Sequence, residues 1–64
     1  MIDARFHNHG TLVGIVPITT EAQEWIGENV EAEGFMWLGN VLYSEPRYAH
    51  AIADAMMADG LTVE

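Results

Sequence analysis

The hydrophobic period of the chain changes at Pro17, and the change dictates a sheet followed by a helix. Upstream, residues 2–7 alternate: Ile2, Ala4 and Phe6 share one side, and Asp3, Arg5 and His7 the other. That period of two marks a half-buried strand. Asn8-His9-Gly10 supplies turn chemistry, because Asn and Gly tolerate positive φ. Residues 11–16 are β-branched and apolar and predict a second strand. The two form an antiparallel hairpin, and Pro17 ends its ladder because it has no N–H to donate. Downstream, Ala22, Trp25, Ile26 and Val30 recur at helical spacing, the signature of one buried helix face. Thr19 or Thr20 caps this helix, and Thr20 with Gln23 matches a capping box. The pattern runs to Val30 or Glu33, with Gly34 as the stop. Gly27 weakens the helix interior by roughly 1 kcal/mol relative to alanine.

The second half repeats the alternation of types. Residues 35–43 predict a third strand. Phe35, Trp37, Val41 and Tyr43 share one parity, and Met36, Leu38 and Leu42 the other. Both faces are apolar, which predicts a central strand. Gly39-Asn40 reads as a bulge; the alternative is a hairpin turn there with very short arms. Ser44-Glu45-Pro46 opens a second helix, with proline tolerated in its first turn and Ser44 read as the cap. Tyr48, Ile52, Ala55 and Met56 make its core stripe, while Arg47, His50, Asp54 and Met57 face outward. Asp59-Gly60 ends it, and residues 61–64 form a short final strand. The order ββαβαβ gives a single α+β domain over residues 1–64. It is a two-layer sandwich with a three- to four-stranded mixed sheet and two helices on one face. Each strand–helix–strand unit calls for a parallel crossover. The other sheet face is left open, and an apolar set exposed there marks a partner or dimer surface.

With 64 residues and no cysteine, the chain has neither the size nor the disulfides to be strongly stable. A domain of this size buries only about 60% of its unfolded surface. Oligomerisation adds the burial that a small core lacks. The net charge is −8, with ten acids against two basic residues, which are Arg5 and Arg47. Phosphate binding therefore has little electrostatic support. Such a chain is repelled by nucleic acid and anionic membrane and steered toward basic protein surfaces. Met1-Ile2-Asp3 lacks the basic start of a signal peptide. The longest apolar run, residues 12–18, is interrupted by Gly14 and Pro17 and is too short to span a bilayer. The expectation is a soluble, cytoplasmic protein.

Glu21, Glu24, Glu28 and Glu31 are spaced three, four and three residues apart, so a helix lines them up in one stripe. Like charges at this spacing cost a few tenths of a kcal/mol per pair. The stripe is either a solvated face or a binding surface for cations. Catalysis is not expected of it, because nothing separates the environments of these carboxylates as acid and base roles require. His7 and His9 share a strand face if the strand reaches that far, and Asp3 is the only local third ligand. That set does not specify a metal site. No phosphate loop, dinucleotide fingerprint or zinc-protease motif occurs. The chain is expected to be neither an enzyme nor a cofactor or metal binder.

Pro17-Ile18-Thr19, Glu24-Trp25, Trp37-x-Gly39, Glu45-Pro46-Arg47-Tyr48 and Ala58-Asp59-Gly60-Leu61 together resemble a group of short acidic proteins of phages, prophages and mobile elements. The likeness runs over nearly the whole chain and rests on the order and spacing of the motifs. Leu38 and Asn40 depart from the group's pattern, which has an aromatic residue and a second glycine there. Through this group the chain also resembles type I anti-CRISPR proteins. That resemblance implies a small, non-enzymatic inhibitor in the cytoplasm of a host cell. Its partner would be a CRISPR surveillance complex, kept from target DNA by carboxylates that imitate phosphates. The residues expected to carry this are Glu21, Glu24, Glu28, Glu31, Glu33, Glu45 and Asp54, acting on a basic nucleic-acid-binding groove. Contact from an aromatic residue or Met57 would add affinity. The alternative is a homodimeric structural or regulatory accessory module of a phage or mobile element, joined through the open sheet face.

Overall fold

A computed structural model describes residues 1–30 and 36–64. Strand β1 (Ala4–Asn8) and strand β2 (Val13–Pro17) form the expected hairpin, with Ala4 opposite Pro17 and Phe6 opposite Ile15. The turn is held by the His9 N–H donating to the Leu12 carbonyl at 2.8 Å and the Gly10 N–H donating to Asn8 Oδ1 at 2.8 Å. Pro17 is the last residue of β2, where its missing donor costs the ladder nothing.

Helix α1 spans Thr20–Asn29. The cap is Thr19 rather than Thr20: its Oγ1 accepts the Ala22 N–H at 3.2 Å, and its carbonyl accepts the Gln23 N–H at 3.1 Å. The helix stops at Asn29 because Val30 is already extended, with φ −111° and ψ 119°. The predicted stop at Gly34 lies outside the described residues.

The expected third strand is two strands. Strand β3 (Met36–Leu38) and strand β4 (Val41–Ser44) form a hairpin, with Leu38 opposite Val41 and Gly39-Asn40 as its two-residue loop. Gly39 has φ +64° and Asn40 does not share the positive φ, the pattern of a type II′ turn with glycine first. The short-armed hairpin therefore replaces the bulged strand. The sheet order is β1-β2-β4-β3, with all three pairings antiparallel. β4 is thus the central strand that the two-sided apolar pattern predicted, and β3 is an edge. Strands β2 and β3 run the same way, as a strand–helix–strand unit demands, but β4 has been inserted between them.

Helix α2 spans Pro46–Ala58. Its N-cap is Glu45, whose side chain makes no capping bond. Ser44 is instead the buried end of β4, its hydroxyl donating to the Glu45 carbonyl at 3.0 Å. The helix ends in a Schellman motif: the Gly60 N–H donates to the Met57 carbonyl and the Leu61 N–H to that of Met56, each at 3.0 Å. Gly60 takes φ +89° there. The chain then pairs in parallel with β1 through Val63 and Ala4. Phe6 N–H to Glu64 carbonyl (2.8 Å) and Glu64 N–H to Ala4 carbonyl (3.1 Å) complete that ladder, so one sheet edge is covered.

Both helices pack on the same sheet face. Ala22 and Ile26 of α1 and Ala49, Ile52 and Met56 of α2 meet Ala4, Ile15 and Leu42 in one core. Fully burying a side chain such as Ile15 or Leu42 contributes about 1.5–3 kcal/mol. Tyr48 and Ala55, expected in the α2 core stripe, are exposed, and Ala49 takes the buried place. Ile52 and Met56 are buried as expected, so the centre of the buried stripe is shifted by about 50°, half of the 100° step between residues. On the opposite sheet face, Gly14 is overlaid by Val41, Tyr43 and His9. A Cβ at Gly14 would stand 3.2 Å from Val41 Cγ1 and 3.4 Å from Tyr43 Cε1. The missing side chain lets these residues close over β2.

Candidate functional site

Helix α1 presents its acids because the residues that point the other way are the ones the core takes. Ala22 and Ile26 anchor the buried side. At 100° per residue, Glu21, Glu24 and Glu28 then fall on the solvent side within about 60° of one another, and all three are exposed. From Glu21 to Glu28 the rise is about 10.5 Å. Among the described residues, no ion pair reaches any of the three: Arg5 pairs with Glu64 at 3.9 Å, and His50 Nε2 stands 3.4 Å from Asp54 Oδ2, a contact that is an ion pair only with a protonated imidazole. The last turn of α1 contains no basic residue. The helix dipole favours Glu21 in the first turn and disfavours Glu28 near the end.

The remaining expected site residues do not join this row. Glu31 and Glu33 lie outside the described residues. Glu45 sits at the N-terminus of α2, and Asp54 is on the outward face of α2, engaged with His50. The predicted set of seven thus contains one described cluster of three on α1.

Trp25 is the aromatic residue nearest that cluster, and its sequence pattern places it on the buried face, with an interface anchor as the alternative. It is half-buried, lying between the core side of α1 and the acidic row. Its indole N–H donates to Asp59 Oδ2 at 2.6 Å, and its carbonyl accepts the Asn29 Nδ2 at 2.9 Å. Beside it, Trp25, Val30, Tyr48, Ala51, Ile52 and Ala55 line a groove of about 250 Å³ between the two helices. The available signal was the pair Ala51 and Ala55, four apart on one flank of α2 and too small to fill the space against α1. Met57, the other apolar candidate, is exposed on the opposite flank of α2.

Asp3 has a different role from the metal ligand weighed with His7 and His9. It accepts the Thr62 N–H at 2.8 Å and the Thr19 hydroxyl at 2.7 Å. Its backbone carbonyl accepts the N–H groups of Ile18 and Thr19. One residue thereby ties the start of β1 to the cap of α1 and to the C-terminal segment, where the final strand expected over residues 61–64 is a single bridge at Val63. The Thr62 N–H first, and then the Thr19 hydroxyl, hold its carboxyl below the usual carboxylate range against the opposing effect of desolvation. His7 and His9 lie on the open sheet face, the His9 ring 5.9 Å from that of Tyr43. Among the described residues, no three of His, Asp and Glu stand together in a group able to hold a metal ion.

Trp37 pairs with Leu42 on the helix side of the sheet yet is 46% exposed. Leu38, on the open face, is 58% exposed. No helix among the described residues is long and apolar enough to cross a membrane. The chain was compared with family models, curated proteins and solved structures, and no match was found.

Proposed function

We propose that this protein is a non-enzymatic acidic binding module that docks α1 against a Lys/Arg-lined, nucleic-acid-binding surface of another protein and blocks it. The carrying observation is the row Glu21, Glu24 and Glu28, three exposed carboxylates with no ion pair to them among the described residues. Such a row costs helix stability, and a basic partner recovers that cost through charge-assisted hydrogen bonds. The resemblance to phage and anti-CRISPR proteins points to a CRISPR surveillance complex as the partner, with inhibition of target DNA engagement as the outcome.

Charge density limits how much imitation can do. Three carboxylates over about 10.5 Å give one charge per about 5 Å, against one per about 3.4 Å along a single DNA strand. The α1 face is therefore a sparse phosphate mimic, and its carboxylates serve mainly to steer and orient the partner. The test is binding of the purified protein to a surveillance complex at low and high salt. Binding should weaken steeply as salt rises, and a folded variant with Glu21, Glu24 and Glu28 all changed to lysine should lose it. Full DNA-blocking activity in that variant would sink the reading.

A second reading rests on β3. Trp37 and Leu38 are exposed on an edge strand that carries no charge and no proline, and such edges pair with other chains. This favours a homodimeric accessory module. Light scattering of the wild type and of Leu38→Asp decides it: a dimer dissolved by the substitution supports this reading, and a monomer at high concentration ends it.

A further inference from the structure

We infer that the groove between α1 and α2 seats a basic amphipathic helix of the partner, its apolar side on the groove floor and its Lys/Arg side against Glu21, Glu24 and Glu28. The inference rests on the reading that the acidic face of α1 meets basic protein, and it names the element that α1 meets.

Among the described residues, two grooves of similar size border α2, and charge separates them. One, of about 260 Å³, runs along the flank that holds Phe6, Pro46 and His50. Its acid, Glu64, already pairs with Arg5. The other, of about 250 Å³, has an apolar lining that includes Trp25, Ile52, Ala51 and Ala55. Trp25 stands four residues after Glu21 and three before Glu28, so both acids are its neighbours along the same side of the helix. A ligand that touches this groove floor is thus within reach of the acidic row. A purely apolar ligand leaves those carboxylates unused, and a purely basic one leaves the floor unused. A helix with one face of each kind uses both.

The geometry of the groove suits a helix in two further respects. Ala51 and Ala55 are exposed and small, which lets another helix axis come near the short end of the usual 8–10 Å packing range. The Trp25 wall is set in advance by the bond of its indole N–H to Asp59 (2.6 Å), so less rotamer freedom is lost on binding. Trp25 offers a ring face on which the stems and cationic heads of Arg or Lys side chains can lie.

The experiment uses the whole chain and two synthetic peptides of identical composition. One has leucines at helical spacing opposite arginines; the other is a scramble with no apolar face. Fluorescence anisotropy of labelled peptide gives both affinities. The amphipathic peptide should bind at least about tenfold tighter than its scramble, the scale of a hot-spot contact. Ala51→Arg and Ala55→Arg, each placing bulk and a like charge in the groove from an exposed position, should each remove that preference while thermal melts show a folded domain. Equal binding of the two peptides, or a preference that survives both substitutions, overturns the groove. Changing Glu21, Glu24 and Glu28 to Gln separates the two claims. If the peptides bind equally but the triple variant weakens both, the acidic reading stands and the groove fails. If the triple variant changes neither, both fail.

Discussion

The Trp25 indole N–H donates to Asp59 Oδ2 at 2.6 Å, joining the outer side of α1 to the C-cap of α2. The residues are 34 positions apart, and each completes a different local structure. Asp59 closes the Schellman end of α2, while Trp25 divides the core face of α1 from its acidic row. A hydrogen bond to a charged acceptor contributes about 1.5–3 kcal/mol, and neutral ones about 0.5–1.5 kcal/mol. This one is exposed to water, so its contribution falls in the ordinary range, about 1 kcal/mol. Trp25→Phe keeps most of the apolar area and loses the donor. Its urea midpoint should fall by the equivalent of about 1 kcal/mol, a drop of roughly 4–8 °C in Tm for a domain of this size. Asp59→Ala should cost a similar amount, and the double variant should cost less than the sum of the two. Simple additivity would show that the bond contributes nothing in solution.

Asp3 makes stability depend on acid. Its carboxyl accepts from Thr62 and Thr19, which holds its folded pKa below the unfolded value. A depressed carboxylate adds stability that is fully present above the unfolded pKa and is lost as pH falls through the folded one. The stability gap between wild type and Asp3→Ala should therefore be constant from about pH 7 to about pH 5, above the ordinary aspartate value near 3.9. It should shrink as pH falls below that value. Urea titrations across this range read the difference directly, and a gap that widens in acid would contradict the assigned bonds.

Gly27 and Gly60 test backbone conformation apart from packing, since a Cβ at either position would meet no atom within 4 Å. Gly27 is an exposed interior residue of α1 without positive φ. Gly27→Ala should raise stability by about 0.8–1 kcal/mol. Gly60 has φ +89°, and Gly60→Ala should lower it by about 1–2 kcal/mol. The opposite signs of the same chemical change are the expected result in chemical denaturation.

Local periodicity made the elements legible, and the places where it failed share a cause. The β1–β2 hairpin, the α1 core residues Ala22 and Ile26, Pro46 in the first turn of α2 and the stop at Gly60 all rest on interactions within a few residues. The strand expected over residues 35–43 misled because apolar residues of both parities fit one central strand as well as a hairpin. In the fold, Val41–Ser44 is central and Met36–Leu38 is an edge. The buried side of α2 was misjudged because Tyr48 and Ala49 are both apolar neighbours, and only docking on the sheet selects between them. The candidate site divides in the same way. The exposure of Glu21, Glu24 and Glu28 follows from helical spacing. The Trp25–Asp59 bond and the groove beside it depend on how α1 lies against α2, which no local pattern encodes.

Glu28 sets stability against binding, which gives the acidic face its most specific test. It lies in the last turn of α1, where the dipole disfavours an anion, and four residues after Glu24, a like charge. Glu28→Lys reverses both effects. It places a cation at the helix C-terminus, for about 0.3–1 kcal/mol. It also pairs the introduced lysine with Glu24 one turn earlier, the favourable orientation, for about 0.2–0.5 kcal/mol. The variant should thus be more stable than wild type by roughly 0.5–1.5 kcal/mol at low ionic strength, with the gain shrinking as salt screens it. The same substitution places a positive charge where a basic partner is to dock, so its affinity for that partner should fall. A solvated face with no partner predicts the stability gain alone. Only a binding face predicts a variant that folds better and binds worse, and paired denaturation and binding titrations on one preparation measure both.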